Sequence, residues 1–352
     1  MFVLVLFFVS SYLALTEKYK ASLIAMLPAF VIYFLVAGLQ YNVGTDYFTY
    51  IDIFNDTNRH QFYFNRGEYL FSYLNSFLKW LKLPSQSIFL AISFIQASLV
   101  FIYFKAIKNK GFILTLFFVV FFCVTNIYNN QLNGLRQYVV INAIPILTIL
   151  FYERKFFWFL IGVLLSSFFH NTAWFLLFFI PVFLVYKKFN LNLIILFVIS
   201  AFAYILLGRV VFEIVERLLP GYSHYLNSHY AESHSISLFI TKIYYLPLIV
   251  YFYMVYKKDS SDFGEYFHFM VFIFTLTFWF FLLALNLGIA TRFYYYVVFF
   301  MVFPIYYLLH KSYKKGKIME FVMVLGYVIL PYLAKVTFLA KAEFLYNSVL
   351  WR

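Results

Sequence analysis

About a dozen long apolar runs, joined by mostly short polar connections, restrict this chain to one class of fold. A helix crossing the hydrocarbon of a bilayer needs about 20 mostly apolar residues, fewer where the bilayer thins. The runs read as spans over residues 2–15, 22–39, 86–104, 111–127, 137–152, 156–169, 171–186, 191–208, 237–256, 267–288, 293–309 and 318–338. The short sixth and seventh could instead form a re-entrant pair. Hydrophobic residues make up 64% of the chain and charged residues 12%, too apolar for a water-soluble domain of 352 residues. The fold class is therefore all-α: a polytopic integral membrane protein with about 12 transmembrane helices (roughly 11–13). It reads as one transmembrane domain over 1–352, with no soluble module and no clear repeat. The opening "MFVLVLFFVSSYLAL" lacks a basic leader and a small-residue cleavage site, and reads as a retained span.

The net charge of +13 does not point to nucleic acid, because no soluble domain exists to present a basic patch. The basic residues sit at the ends of apolar helices, as topology signals facing anionic headgroups. Lys18, Lys20, Lys105, Lys108, Lys110, Arg154, Lys155, Lys187, Lys188, Lys257, Lys258, Lys311, Lys314, Lys315 and Lys317 all follow odd-numbered spans. Those connections are then cytoplasmic and the N-terminus is outside. The single cysteine, Cys123, lies in an apolar run and excludes an intrachain disulfide or a cysteine-built metal site.

The even-numbered connections face outward and hold the unusual residues: the 40–85 loop, "NNQLNGLRQ", the turn at His170, the 209–236 loop and "GIATR". Two outer segments read as amphipathic surface helices. In 66–83, Leu70, Tyr73, Leu74, Phe77, Leu78 and Leu81 recur at helical spacing, with Ser72, Asn75, Ser76, Lys79 and Lys82 mostly elsewhere on the wheel. In 209–219, Glu213 and Arg217 stand four apart and can pair.

Arg136 stands where the fifth span begins, joining a fixed charge to the unpaired N–H groups of a helix N-terminus, a combination that favours phosphate. Arg292 repeats the arrangement at the eleventh span, with Thr291 as an N-cap. For both, an arginine snorkelling among headgroups is the structural alternative. Asp46 lies shortly after the second span, where a carboxylate is costly unless paired or hydrated. It suits a general base for a sugar hydroxyl, or a cap or arginine partner. Tyr50 shares its face if the segment is helical. Asp52 and Asp56 lie nearer the middle of the loop and read as solvated. Glu68 either pairs with Arg66 or occupies the first turn of the surface helix. His170, at the tip of a tight hairpin with Asn171 as a natural N-cap, could hold a phosphate or hydroxyl or shuttle a proton, or be structural. His224, His229 and His234 recur in steps of five, which puts them on no common helix face and argues against a metal site. No Walker loop, Rossmann fingerprint or nucleophile elbow is present.

The segments "VGTDYFTY" (43–50), "RGEYLF" (66–71), "NGLRQ" (133–137), "FHNTAWF" (169–175) and "ATRFYYYVVFF" (290–300) carry a resemblance. In order and spacing they are similar to the GTDY, glutamate–Gly/Tyr, N-x-x-RQ, FH-x-(S/T)-A and late-arginine segments of the EpsG family. That family of bacterial integral membrane proteins is associated with Wzy-type polymerases of O-antigen (lipopolysaccharide), capsule and exopolysaccharide pathways. The resemblance covers about residues 40–310. The order Gly67-Glu68-Tyr69 departs from the pattern and leaves the role of Glu68 open.

The resemblance implies a membrane glycosyltransferase at the periplasmic or extracellular face of the bacterial cytoplasmic (inner) membrane. A glycan on undecaprenyl pyrophosphate moves to the non-reducing end of a lipid-linked repeat. A GT-C-like architecture is one option. No cofactor, nucleotide or metal is implied, because the lipid pyrophosphate stores the activation. A flippase and a chain-length regulator of the same pathway are candidate partners, besides membrane lipid. Carried over, Asp46 is the general base and His170 orients a hydroxyl or phosphate. Arg136 and Arg292 take the donor pyrophosphate, Arg66 or Arg209 the acceptor lipid, and Glu68, Tyr50, Gln137 and Asn133 orient substrate. The rival readings are a flippase or exporter of lipid-linked oligosaccharide, an O-antigen ligase and, fitting less well, a membrane acetyltransferase.

Overall fold

The computed structural model describes residues 1–18, 23–218, 242–256, 263–285 and 291–351. Every apolar run becomes helical within those bounds, and no strand forms among the described residues. The helices are α1 (Phe2–Lys18), α2 (Leu27–Gly38), α3 (Tyr47–Asn55), α4 (Thr57–Asn65), α5 (Tyr69–Trp80), α6 (Ser87–Lys108), α7 (Leu114–Thr125), α8 (Ile127–Asn130), α9 (Leu135–Tyr152), α10 (Phe156–Ser167), α11 (Phe179–Lys188), α12 (Leu193–Leu218), α13 (Leu246–Val255), α14 (Glu265–Thr277), α15 (Thr291–Val297), α16 (Val302–Lys314) and α17 (Ile318–Thr337). Among the described residues five stretches are long and apolar enough to cross a membrane: Ser87–Lys108, Leu135–Tyr152, Glu265–Leu283, Arg292–Lys314 and Ile318–Thr337. The remaining apolar helices are shorter. With backbone groups satisfied inside helices, this is the architecture of a multi-pass membrane protein.

The chain divides into two compact units, Met1–Phe179 with Leu325–Arg352, and Ile180–Val324. In the first, α6 packs against both α2 and α9, while α1 lies on α2 and α7, and α10 on α9. α9 is enclosed on all sides, burying residues around its whole circumference from Leu135 to Phe151. The outer loop after α2 is not irregular. Three short helices, α3 to α5, fill residues 47–80 and bury Tyr47, Tyr50, Ile53, Phe54 and Phe71 against Ile88, Phe89 and Ile92 of α6 and Leu135 and Val139 of α9. α5 turns Phe71, Ser72, Asn75 and Leu78 inward and leaves Tyr73 60% and Trp80 74% exposed. Of the expected apolar stripe, Tyr73, Phe77 and Leu81 face outward while Leu78 is buried. The tail returns to this region: Gln40 and Ser348 form an antiparallel bridge, and Tyr346 donates its hydroxyl to the Val36 carbonyl at 2.8 Å.

In the second unit α12 packs on α14 and on the 3₁₀ segment Phe278–Leu285, and α16 packs on α13 and α14. The 209–219 segment, expected as a separate surface helix, continues α12 without a break to Leu218. Residues 219–236 lie outside the described residues, as do His224, His229 and His234, and nothing is described of the Arg209 side chain.

Candidate functional site

The first unit assembles four separated segments of the sequence. The chain leaving α2 turns at Gly44, whose φ of +76° suits glycine, and a Cβ there would stand 2.5 Å from Asn133 Oδ1. That close approach lets Asn133 Oδ1 accept the Asp46 backbone N–H at 2.8 Å and the Thr45 hydroxyl at 3.4 Å. Thr45 also lies 3.2 Å from Asp46 Oδ1. Asp46 ends this loop at the N-cap position of α3 without bonding the helix through its side chain. Its backbone is held by Asn133, and its half-buried carboxylate is met by the Thr45 hydroxyl. Tyr50 follows one turn later, its N–H bonded to the Asp46 carbonyl at 3.1 Å, and is buried.

Arg136 is the second residue of α9, after the Gly134 N-cap, and Gln137 follows it half-buried. The guanidinium Nη1 donates to Glu68 Oε2. Its side chain is 14% exposed and that of Glu68 3%. The guanidinium carbon lies 4.0 Å from the centroid of the Tyr63 ring, 5.1 Å from Phe71 and 5.9 Å from Tyr50. Aromatic faces attract a cation and replace part of the water it has lost. The Nε atom is buried and has no hydrogen-bond partner among the described residues. Glu68 therefore pairs with Arg136 and not with its near neighbour Arg66, which is exposed, with its guanidinium 5.3 Å from the Phe62 ring. Burial pushes the Glu68 carboxyl up from its ordinary range, opposed by the charges of Arg136 and Arg66. Burial likewise raises the Tyr50 phenol.

The turn at His170 completes the assembly. His170, not Asn171, caps the following 3₁₀ segment Asn171–Phe178: its Nδ1 accepts the Thr172 N–H at 3.3 Å and lies 2.8 Å from the Thr172 hydroxyl. Nδ1 acting as acceptor leaves the ring proton on Nε2. Asn171 instead donates its amide to the Arg66 carbonyl, and its backbone N–H favours the charged form of the Glu68 carboxyl. The Phe168 carbonyl accepts the N–H groups of Leu70 at 3.0 Å and Phe71 at 3.3 Å. Gly67, at φ +84°, makes the tight turn between these contacts.

Asp46, Tyr50, Arg66, Glu68, Asn133, Arg136, Gln137 and His170 thus belong to neighbouring segments of one unit. Arg292 lies in the second unit, exposed, on the first turn of α15. Asp52 and Asp56 are structural: Asp52 pairs with Arg59 at 3.0 Å, and Asp56 caps α4 by accepting the Asn58 N–H at 2.8 Å. Among the described residues no group of three or more His, Cys, Asp or Glu is placed to hold a metal. Asn171, Thr45, Gly44 and Tyr63 were not singled out as site residues from the sequence. The first three stand inside the quoted motif segments, whereas Tyr63 carried no signal.

These segments supply a guanidinium held on aromatic rings, two carboxylates and neutral polar groups, a set suited to an anion beside a hydroxyl. The family model of the EpsG family matches residues 23–348, nearly the whole chain. No curated protein and no solved structure matches. The chain accordingly belongs to the EpsG family, a family of Wzy-like polysaccharide polymerases.

Proposed function

We propose that the protein is a Wzy-type polymerase of the inner membrane, acting at the outer face on undecaprenyl-pyrophosphate-linked oligosaccharide. In this reading all of the roughly 12 apolar runs span the bilayer in a GT-C-like arrangement. A flippase supplies the repeats, and a chain-length regulator works beside it. The observation that carries the reading is the convergence of Asp46, Asn133, Arg136 and Glu68, from segments far apart in sequence, in one unit of a membrane protein of this family.

A pyrophosphate is already a good leaving group, so the protein has to hold it, stabilise its growing charge and orient the acceptor. Arg136 takes the donor pyrophosphate, with its fork directed by Glu68. Asp46, held by the contacts of its loop to Asn133, accepts the proton of the attacking acceptor hydroxyl. Tyr50, Gln137 and His170 orient the reacting groups, and Arg66, exposed beside them, suits the acceptor lipid phosphate. Arg292, at the entry of the eleventh span, is the second candidate for the donor pyrophosphate, and Arg209 is the alternative to Arg66 for the acceptor lipid. The test is purified protein in liposomes with a lipid-linked repeat on the outer face, without nucleotide or added metal. A product ladder in repeat-unit steps, lost in Asp46→Asn and Arg136→Ala, is expected. Movement of the lipid-linked sugar between leaflets without a ladder would make the protein a flippase.

A further inference from the structure

We infer that Asn171 is a positioning residue for Arg136, acting through Glu68. The inference rests on the reading of Arg136 as the donor-binding cation and adds how that cation is held. The Glu68 carboxylate is hydrogen-bonded by the Arg136 guanidinium at the start of α9, and its charged form is favoured by the backbone N–H of Asn171 at the hairpin tip. The Asn171 side chain fixes the same segment a second time, through the Arg66 carbonyl two residues earlier. The Phe168 carbonyl fixes it a third time through Leu70 and Phe71. Gly67, between the first two contacts, has the positive φ that lets Arg66 and Glu68 both face the turn.

A carboxylate 3% exposed cannot exchange its partners for water, so its direction is set by these donors. Arg136 in turn has Glu68 as its one anionic partner among the described residues and otherwise meets the Tyr63 and Phe71 rings and the Tyr50 side chain. Aromatic contacts restrain a guanidinium in distance but weakly in rotation, whereas a charge-assisted hydrogen bond fixes its fork. Asn171 thereby reaches Arg136 without touching it. The sequence motif around His170 is explained less by the imidazole, which caps its own turn, than by the asparagine beside it.

The experiment is a double-mutant cycle on the full chain in detergent and liposomes, with Asn171→Ala, Glu68→Gln and the double variant. Two readouts are taken: polymerisation at varied donor concentration, and the phenylglyoxal reactivity of Arg136 followed by peptide mass spectrometry. Asn171→Ala should raise the donor KM about tenfold with a smaller change in kcat, and add nothing in the Glu68→Gln background. Arg136 reactivity should rise in each single variant and no further in the double. Asn171→Asp, which sets a carboxylate against the Arg66 carbonyl, should be worse than Asn171→Ala. Additive effects, or Arg136 reactivity unchanged in Asn171→Ala, would overturn the inference while leaving the polymerase reading intact. A wild-type protein that makes no ladder would overturn the polymerase reading, and the reactivity cycle would still decide whether Asn171 positions Arg136.

Discussion

Glu68 and Glu153, two of the carboxylates of the first unit that have basic partners, differ in nearly everything else. Glu68 is 3% exposed, has a guanidinium partner backed by aromatic rings, and is drawn from a segment far from Arg136 in sequence. Glu153 is 31% exposed and lies between Lys110 at 2.9 Å and Lys155 at 2.8 Å, at the lysine-rich ends of α6 and α9. The lysine hydrogen bonds hold the Glu153 carboxyl below its usual range, whereas burial pushes the Glu68 carboxyl above it. A hydrated pair contributes little to stability and suits an anchor at a membrane surface. A buried pair is costly to assemble and very costly to break, so its retention calls for a use beyond stability. Ion-pair chemistry alone does not mark the candidate site; its removal from water does.

The largest expected effect is at the buried pair. Arg136→Ala should abolish polymerisation and destabilise the protein by about 3–5 kcal/mol, because a buried carboxylate loses its cation. Combining Glu68→Leu with Arg136→Met should recover thermal stability without activity, which separates folding from catalysis. Arg136→Lys should also be impaired, since an ammonium cannot reproduce a bidentate contact. Next comes Gly44→Ala, which forces a side chain to φ +76° and against Asn133. A loss of about 1–3 kcal/mol, read as a lower unfolding temperature, is expected together with reduced activity.

The pH dependence sharpens the contrast. A carboxyl whose folded value lies above its unfolded value favours folding at low pH, and that contribution fades as pH rises through the folded value. Glu68 follows this sense; Glu153, with a lowered value, stabilises above the ordinary carboxylate range and loses its contribution as pH falls through its folded value. If the ionised Glu68 directs Arg136, activity should fall as acid protonates it, at a higher pH than an ordinary glutamate would give. Glu68→Gln should remove that acid limb from the rate profile. The smallest effect belongs to Glu153→Gln, expected within about 1 kcal/mol of wild type in stability and at full activity.

The helices were legible in the sequence because uninterrupted apolar runs such as 318–338 need no partner to declare themselves. The outer loop was partly legible. The helical spacing of Tyr73 and Phe77 marked the stripe of α5 that faces outward, but the inward turn of Ser72 and Asn75 depends on what they meet. Arg136 stood out as a cation at a helix entry. Its partner did not, since local sequence offered Arg66 to Glu68 at a spacing of two and nothing pointed across to α9. The role of Asn171 was hidden for the same reason. Capping is a local property, so the sequence gives a cap position, yet which of two adjacent residues caps depends on the Arg66 carbonyl brought there by the fold.

The most direct test sets the two pairs side by side: repeat-unit ladders from liposomes holding equal amounts of wild type, Arg136→Ala and Glu153→Gln, with the same lipid-linked repeat. Arg136→Ala is expected to stop at a single repeat, while Glu153→Gln extends the chain as wild type does. A normal ladder from correctly inserted Arg136→Ala would contradict that expectation.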